Sequence, residues 1–105
     1  MHISFIGGGV MAEAILGGIL GAKLAVPDDI KVGEPLKDRR AHLSETYGVQ
    51  TLAGNGSAAA GAEIVILSVK PQQLAGVMAE LAPALAGGQV VLSIVAGART
   101  STLTA

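Results

Sequence analysis

Short apolar runs alternate with longer segments of helical periodicity along this chain. Ile3–Ile6 is almost entirely apolar and stops at three glycines, which is typical of a short buried strand. Residues 64–69 and 90–95 are rich in β-branched side chains without a polar alternation, the pattern of parallel strands buried on both faces. Residues 30–32 and 49–52 are two weaker strand candidates.

The first helical segment is predicted to run from Val10 to about Lys23. Its small and apolar residues recur at intervals of three and four, which predicts a packed face. That face is predicted to carry Met11, Ala14, Ile15, Gly18 and Ile19.

Pro35 is predicted to open the second helix, because the first position of a helix does not use its N–H. Leu36, Leu43 and Tyr47 then share one side of that helix. Gly48 is a suitable stop, since glycine accepts the left-handed conformation that often ends a helix.

Two further helical segments follow. Residues 55–61 are expected to form one or two helical turns, and an amphipathic helix is expected after Pro71. Its apolar stripe is Leu74, Val77, Met78, Leu81 and Leu85. Pro83 is expected to break this helix near its end, and no element is predicted beyond residues 96–97.

The alternation of strands with helix-length segments predicts an α/β fold in a single domain. The expected architecture is an open parallel sheet of the Rossmann type, with helices on both faces. A chain of 105 residues is large enough for one such domain with its own hydrophobic core.

Composition excludes several classes of protein. Half of the residues are hydrophobic, which is incompatible with a disordered linker. The net charge of −1 gives no electrostatic footprint for nucleic acid or an anionic membrane. The chain has no cysteine, which excludes a disulfide scaffold and a thiolate metal site. The sequence also shows no cluster of His, Asp and Glu that would suggest a metal site. Neither a spanning apolar run nor a basic signal-peptide region is present, so a soluble cytoplasmic protein is expected.

The glycines after the first strand carry the main chemical signal. Gly7–Ala12 reads G-G-G-V-M-A and matches G-x-G-x-x-G/A between a strand and a helix. Gly7 would allow the tight turn, Gly9 would let the backbone approach a pyrophosphate, and Ala12 would keep the helix close to the strand. The free N–H groups and positive dipole at the helix start attract phosphates. Dinucleotide binding is favoured over an ordinary glycine-rich turn because of this context.

An acidic residue stands where the second strand candidate ends. Glu34, followed by Pro35, could hold the ribose hydroxyls and would repel a 2′-phosphate, which favours NAD(H). Lys37, Arg39 and Arg40 could instead neutralise a 2′-phosphate, although a solvated helix face is the favoured interpretation for any one of them. The choice between NAD(H) and NADP(H) therefore stays open.

Two other segments are predicted at the same edge of the sheet. Residues 68–71 and 96–97 follow strand candidates at their carboxyl ends, where open α/β sheets bind ligands. Either segment could lie along a cofactor or be an ordinary strand-to-helix turn. The histidines, His2 and His42, are expected at the surface.

With these residues in view, the chain resembles the amino-terminal domain of the pyrroline-5-carboxylate reductase family. The resemblance rests on residues 3–15, on I-V-I-L-S-V-K-P at 64–71 and on V-L-S-I-V-A-G at 91–97. By position, it implies cofactor contacts at Gly7, Gly8, Gly9, Val10, Met11, Ala12, Asn55, Val69, Lys70, Pro71, Ala96 and Gly97.

Within that set the resemblance assigns different parts of the cofactor. Residues 7–12 would contact the pyrophosphate, Asn55 would lie near the adenosine, and residues 69–71 and 96–97 would line the nicotinamide half. Glu34 stands where the family usually has a small polar residue, and this departure places the family's usual preference for NADPH in doubt for this chain. Val10 also replaces a residue that is commonly polar.

The family transfers a hydride from the nicotinamide to the C=N carbon of a cyclic imino acid, giving L-proline. A second, helical domain binds that substrate and makes the dimer, so the resemblance implies a homo-oligomer and no catalytic residue within these 105 residues. The chain is expected to be a cofactor-binding fragment that is inactive alone. The alternatives are the cofactor domain of a β-hydroxyacid dehydrogenase or a deazaflavin-dependent NADP reductase, or a nucleotide-sensing module without catalysis.

Overall fold

The computed structural model describes residues 2–69, 71–85, 88–94 and 101–104, in which six strands alternate with four α-helices. The strands are β1 (Ile3–Ile6), β2 (Ile30–Gly33), β3 (Gln50–Leu52), β4 (Ile64–Leu67), β5 (Val90–Ser93) and β6 (Ser101–Thr104). The α-helices are α1 (Val10–Gly21), α2 (Lys37–Tyr47), α3 (Asn55–Ala59) and α4 (Pro71–Leu81), and short 3₁₀ turns form at Pro27–Asp29 and Ala82–Ala84. Within the described ranges, no helix combines the length and apolarity needed to cross a membrane.

The strands form one sheet in the order β3-β2-β1-β4-β5-β6. The first five are parallel to one another, and β6 runs antiparallel to β5. This is the doubly wound Rossmann order, in which the chain reverses its direction of travel between β1 and β4. The predicted fold class is therefore confirmed. The edge strand β6 was not predicted, because its sequence S-T-L-T lacks the apolar run of the other strands.

Helices cover both faces of the sheet, and each face has its own hydrophobic cluster. On one face Phe5 packs with Leu16 of α1 and Leu43 of α2. On the other, Ile6 and Leu81 pack with the small residues of α3 and the partly buried side chains of α4. Because successive side chains of a strand point to opposite faces, β1 is buried on both and contains no exposed position.

The buried face of α1 differs from the predicted one. Ala12 and Leu16 are the buried residues of this helix, Ile15 and Ile19 are partly buried, and Met11 is exposed. The other two residues of the predicted face, Ala14 and Gly18, are exposed. The sequence V-M-A-E-A-I-L-G-G-I-L-G is apolar or small at all but one position, so its periodicity does not single out a face. The helix ends at Gly21, slightly before the predicted end.

The start of α2 also differs from the prediction. The helix begins at Lys37, and Leu36 precedes it in an extended conformation with its side chain 63% exposed. The Leu36 N–H donates to the Glu34 carboxylate at 2.8 Å, which holds this residue directly before the helix. Leu43 is buried and Tyr47 partly buried, and Gly48 ends the helix with a φ of 75°, as predicted.

The remaining boundaries lie close to the predictions. α3 forms where it was expected. α4 begins at Pro71 and ends at Leu81, and a 3₁₀ turn follows at Ala82–Ala84, where Pro83 was expected to break the helix. Strands β4 and β5 end two residues earlier than predicted, at Leu67 and Ser93. The predicted last residue of β5 lies outside the described residues.

We predict that Leu16→Ala lowers the free energy of unfolding by about 2 to 5 kcal/mol, because the side chain is 1% exposed between α1 and the sheet. The same change at Leu24, which is 71% exposed, should alter it by less than about 0.5 kcal/mol. Urea unfolding of both variants tests the packing of α1. Equal losses would contradict it.

Candidate functional site

A cleft of about 700 Å³ opens at the carboxyl ends of β1, β2 and β4, where the strand order reverses. Open α/β sheets bind their ligands at such a point. The cleft is lined by Gly7, Gly8, Gly9, Glu34, Pro35, Leu36, Asn55, Val69, Gln73, Gly76, Val77 and Glu80. Seven of the residues predicted from the sequence are therefore brought together here.

Gly7 makes the sharp turn at the end of β1. Its φ is +97°, and a Cβ atom at this position would lie 2.6 Å from the backbone oxygen of Ser68. Its N–H donates to the Gly33 carbonyl at 2.8 Å, and its carbonyl accepts from the Ser68 hydroxyl at 2.8 Å. A side chain is excluded here both by conformation and by space, as the tight-turn prediction requires.

Gly9 differs from Gly7 because nothing in the fold excludes a side chain from its position. It precedes α1 with a φ of −77°, which any residue accepts, and a Cβ atom there would meet no atom within 4 Å. The absence of a side chain instead leaves open space in front of the helix. Ala12 is buried in the core, which agrees with its predicted role in helix–strand packing.

The amino terminus of α1 faces this open space. The first N–H groups of a helix have no partner within the helix, and no side chain caps α1 at Gly9. Partial positive charge at the helix start adds to the attraction for an anion. Val10 is 83% exposed here, and Met11 is also exposed, but neither belongs to the lining of the cleft.

Gly8, the middle glycine, is held more tightly than the motif suggests. Its N–H donates to Glu34 Oε1 at 2.8 Å, and its carbonyl accepts two bonds from Arg39, at 2.9 Å from Nε and 2.6 Å from Nη2. A Cβ atom would lie 2.8 Å from Leu43 Cδ1 and 3.1 Å from Glu34 Cβ. The motif leaves this position free, whereas in this chain a side chain here would have to displace Leu43 of α2 and would crowd Glu34.

Glu34 is only 7% exposed, and both of its carboxylate oxygens are bonded to backbone. Oε1 accepts from Gly8 and Oε2 accepts from Leu36, each at 2.8 Å. The acid predicted to face a ribose is thus also a structural link between β2 and the glycine loop. This link joins residues 26 positions apart, and the local sequence contains no signal for it.

The basic residues after β2 are not all a solvated face. Arg39 bonds to Gly8, and Arg40 Nη1 donates to the carbonyls of Glu34 and Pro35 at 2.8 and 2.9 Å. Lys37 is exposed. The solvated-face interpretation therefore suits Lys37 and is wrong for the two arginines.

The carboxylate of Glu13 in α1 is hydrogen-bonded to three side chains of α2. Arg39 Nη2 lies 2.9 Å from its carboxylate, His42 Nε2 lies 3.1 Å from both oxygens, and the Tyr47 hydroxyl donates at 2.8 Å. The His42 hydrogen bond, followed by those of Tyr47 and Arg39, lowers the pKa of Glu13 from 4.5 to about 2. The bond to Glu13 raises the pKa of Tyr47 above its ordinary value. We call these four side chains the Glu13 cluster.

Asn55 begins α3 against the end of β2. Its Nδ2 donates to Glu80 Oε2 at 3.2 Å, and its buried Oδ1 has no hydrogen-bond partner. Gly33 makes room for this side chain, because a Cβ atom there would lie 2.8 Å from Asn55 Oδ1. Asn55 therefore lines the cleft beside the end of β2, and its contact with the adenosine stays a prediction.

The other predicted residues divide into two groups. Val69 lines the cleft, and Pro71 begins α4. Lys70, Ala96 and Gly97 lie outside the described residues.

One wall of the cleft was not predicted from the sequence. It is formed by Gln73, Gly76, Val77 and Glu80 of α4. Counted from Gln73, the other three lie three, four and seven residues further along, which is the spacing of one helix face. This face adjoins the predicted apolar stripe and shares Val77 with it, and its spacing is the signal that could have found it.

Comparisons with known proteins show which family the chain belongs to. Residues 2–97 match the model of a family described as NADP oxidoreductase, coenzyme F420-dependent. The chain is similar to the pyrroline-5-carboxylate reductase of Synechocystis sp., at 45% identity over 92% of this chain and 36% of that protein. It is also similar to the enzyme of that name from Pseudomonas aeruginosa, at 38% identity over 99% of this chain and 38% of that protein. The structure of Plasmodium falciparum pyrroline carboxylate reductase with NADP bound superposes with a TM-score of 0.76, at 22% identity over 90% of this chain and 33% of that one.

The Glu13 cluster predicts an acid-sensitive contribution to stability. Because the pKa of Glu13 is lower in the folded state, its contribution is present above the ordinary value of 4.5 and is lost as the pH falls toward about 2. The difference in free energy of unfolding between the wild type and Glu13→Gln should therefore shrink over this range in urea titrations. Glu45→Gln, at an exposed position of α2, is the control. A wild-type advantage over Glu13→Gln that stays constant with pH would contradict the prediction.

Proposed function

The chain belongs to the family described as NADP oxidoreductase, coenzyme F420-dependent, and we propose that it is the NAD(P)(H)-binding domain of a reductase. One observation carries this proposal: at Gly9 the backbone is bare, and open space lies directly before the amino terminus of α1. A diphosphate needs close backbone approach and unpaired N–H groups. Both occur at this one place.

The proposed cofactor is held mainly by backbone. Gly7–Gly9 and the first N–H groups of α1 would hold the diphosphate, with Val10 and Met11 beside it. Because the Ala12 side chain is buried, this residue can contribute only through its backbone. Glu34, Pro35 and Asn55 would face the adenosine.

The nicotinamide half would follow the ends of β4 and β5. Val69, Lys70 and Pro71 would contact it after β4, and Ala96 and Gly97 after β5. When bound, the nicotinamide supplies or accepts the hydride, and the protein supplies orientation and electrostatics.

For the whole protein we propose pyrroline-5-carboxylate reductase activity, with hydride delivered to the C=N carbon of a cyclic imino acid. Support comes from two relatives of that name, at 45% and 38% identity. The chain spans 36% and 38% of their lengths. The substrate site and any oligomer contacts are therefore proposed for the parts of the whole protein that this chain does not cover.

A second candidate follows from the description of the matched family, which names coenzyme F420. In that case the whole protein would exchange a hydride between NADP(H) and a deazaflavin. Assays of the whole protein with pyrroline-5-carboxylate and with reduced F420 separate the two. Nucleotide binding without turnover of either would favour a sensing module.

We propose that the cleft prefers NADH to NADPH. Two carboxylates, Glu34 and Glu80, line it, and its described lining contains no lysine or arginine. Arg39 and Arg40 are bonded to backbone carbonyls nearby. A 2′-phosphate would therefore add negative charge beside carboxylates without a dedicated cation.

We predict that Gly9→Val abolishes binding of both NADH and NADPH, because the new side chain would fill the path of the diphosphate. The fold should tolerate it, since the position has an ordinary φ and open surroundings. Isothermal titration with each nucleotide tests affinity, and urea unfolding verifies the fold. Undiminished binding would mean that this loop is not the site.

We predict that Glu34→Ser shifts the ratio of the NADH and NADPH affinities toward NADPH by about tenfold, a change equivalent to about 1.4 kcal/mol. The physical reason is removal of a carboxylate that repels the 2′-phosphate. Glu45→Ser removes an equal charge at an exposed position of α2 and should leave the ratio unchanged. The same ratio in both variants would show that Glu34 does not discriminate between the nucleotides.

A further inference from the structure

The peptide units of the glycine loop are fixed by different neighbours. The unit joining Gly7 to Gly8 is held at both ends, by the Ser68 hydroxyl at its carbonyl and by Glu34 at its N–H. The unit joining Gly8 to Gly9 is held at its carbonyl by two bonds from Arg39. Its N–H belongs to Gly9, which lines the cleft.

This second peptide unit has a particular need of an anchor. It lies between two glycines, which have no Cβ atom to restrict rotation of the peptide plane. In a trans peptide the carbonyl and the N–H point in opposite directions, and no described peptide bond of this chain is cis. A bond that draws the Gly8 carbonyl toward α2 therefore turns the Gly9 N–H away from α2.

We propose that Arg39 is a positioning residue for cofactor binding, which orients the Gly8–Gly9 peptide so that its N–H is presented to the diphosphate. This proposal rests on the proposed function of the cleft. Arg39 acts through the backbone of Gly8 and does not itself need to touch the nucleotide. Without it, either face of the peptide could turn toward the ligand, and a carbonyl oxygen there would repel a phosphate.

Glu13 orients the arginine for this task. Arg39 Nη2 lies 2.9 Å from Glu13 Oε1 and bonds the Gly8 carbonyl at the same time, while Nε makes the second bond to that carbonyl. The planar guanidinium places several donors in a fixed fork, which a lysine ammonium cannot reproduce. Both charged side chains are less than one third exposed, so solvent does not fully screen the pair.

The test compares cofactor affinities of Arg39→Met with those of Lys37→Met. Both changes remove one positive charge from the first turn of α2, but Lys37 is exposed. We expect Arg39→Met to weaken NADH and NADPH binding by a similar factor of about tenfold, as the loss of a charge-assisted contact would. Lys37→Met should change both by less than about twofold. Equal effects of the two variants, in folded protein, would reduce Arg39 to a general electrostatic role and overturn the proposal.

Arg39→Lys keeps the charge and tests the fork itself. We expect weaker binding of both nucleotides than in the wild type, together with a changed Gly9 amide signal in ¹H–¹⁵N spectra. Wild-type affinity in this variant would overturn the proposal, because charge alone would then suffice. A wild-type protein that binds neither NADH nor NADPH would instead refute the proposed function, so the two failures are distinguishable.

Discussion

The structure depends on one constraint: a loop without side chains must be held in one conformation by its surroundings. Gly7, Gly8 and Gly9 can contribute no packing of their own, and glycine loses more conformational freedom on folding than other residues. The polar groups of Gly7 and Gly8 are bonded instead to β2 and Glu34, to the residue after β4 and to α2. The parallel pairing of β1 between β2 and β4 brings these partners together, since Ile6 is in register with both Gly33 and Leu67. The sheet order is thus a condition for the site as well as for the core.

The sequence predicts the parts of this arrangement that have local signals. Continuous β-branched runs identified β4 and β5, and the G-x-G-x-x-A spacing located the loop and the start of α1. The buried face of α1 could not be predicted, because the helix has apolar or small residues on every face. Only its packing in the folded domain selects Ala12 and Leu16 for burial. The bond between Glu34 and Gly8 joins residues 26 positions apart, and Arg39 reaches Gly8 from 31 positions away. Such contacts follow from topology, which no window of sequence contains.

Charge is distributed so that the cleft relies on backbone for its attraction to anions. The arginines nearest to it are bonded to the carbonyls of Gly8, Glu34 and Pro35, and Arg39 also pairs with Glu13. Helix N–H groups offer directed but modest attraction, worth about 0.3 to 1 kcal/mol at exposed sites. A site of this kind fits a diphosphate that lies along the loop. The same site offers less attraction to an additional phosphate that lies beside Glu34 and Glu80.

Affinity and selectivity are therefore coupled through Glu34. One carboxylate oxygen fixes the N–H of Gly8, the other fixes the N–H of Leu36, and the same group carries the charge that a 2′-phosphate would meet. Replacing Glu34 with serine removes the charge and also the carboxylate that bonds the N–H groups of Gly8 and Leu36, so a loss of absolute affinity does not by itself report on discrimination between nucleotides. Arg39 acts on the same loop through the Gly8 carbonyl, whereas Glu34 acts through the Gly8 N–H. The charge of Glu34 therefore acts on the ratio of the NADH and NADPH affinities, whereas Arg39 acts on both affinities together. This difference distinguishes the effect of ordering the loop from the effect of repelling the 2′-phosphate.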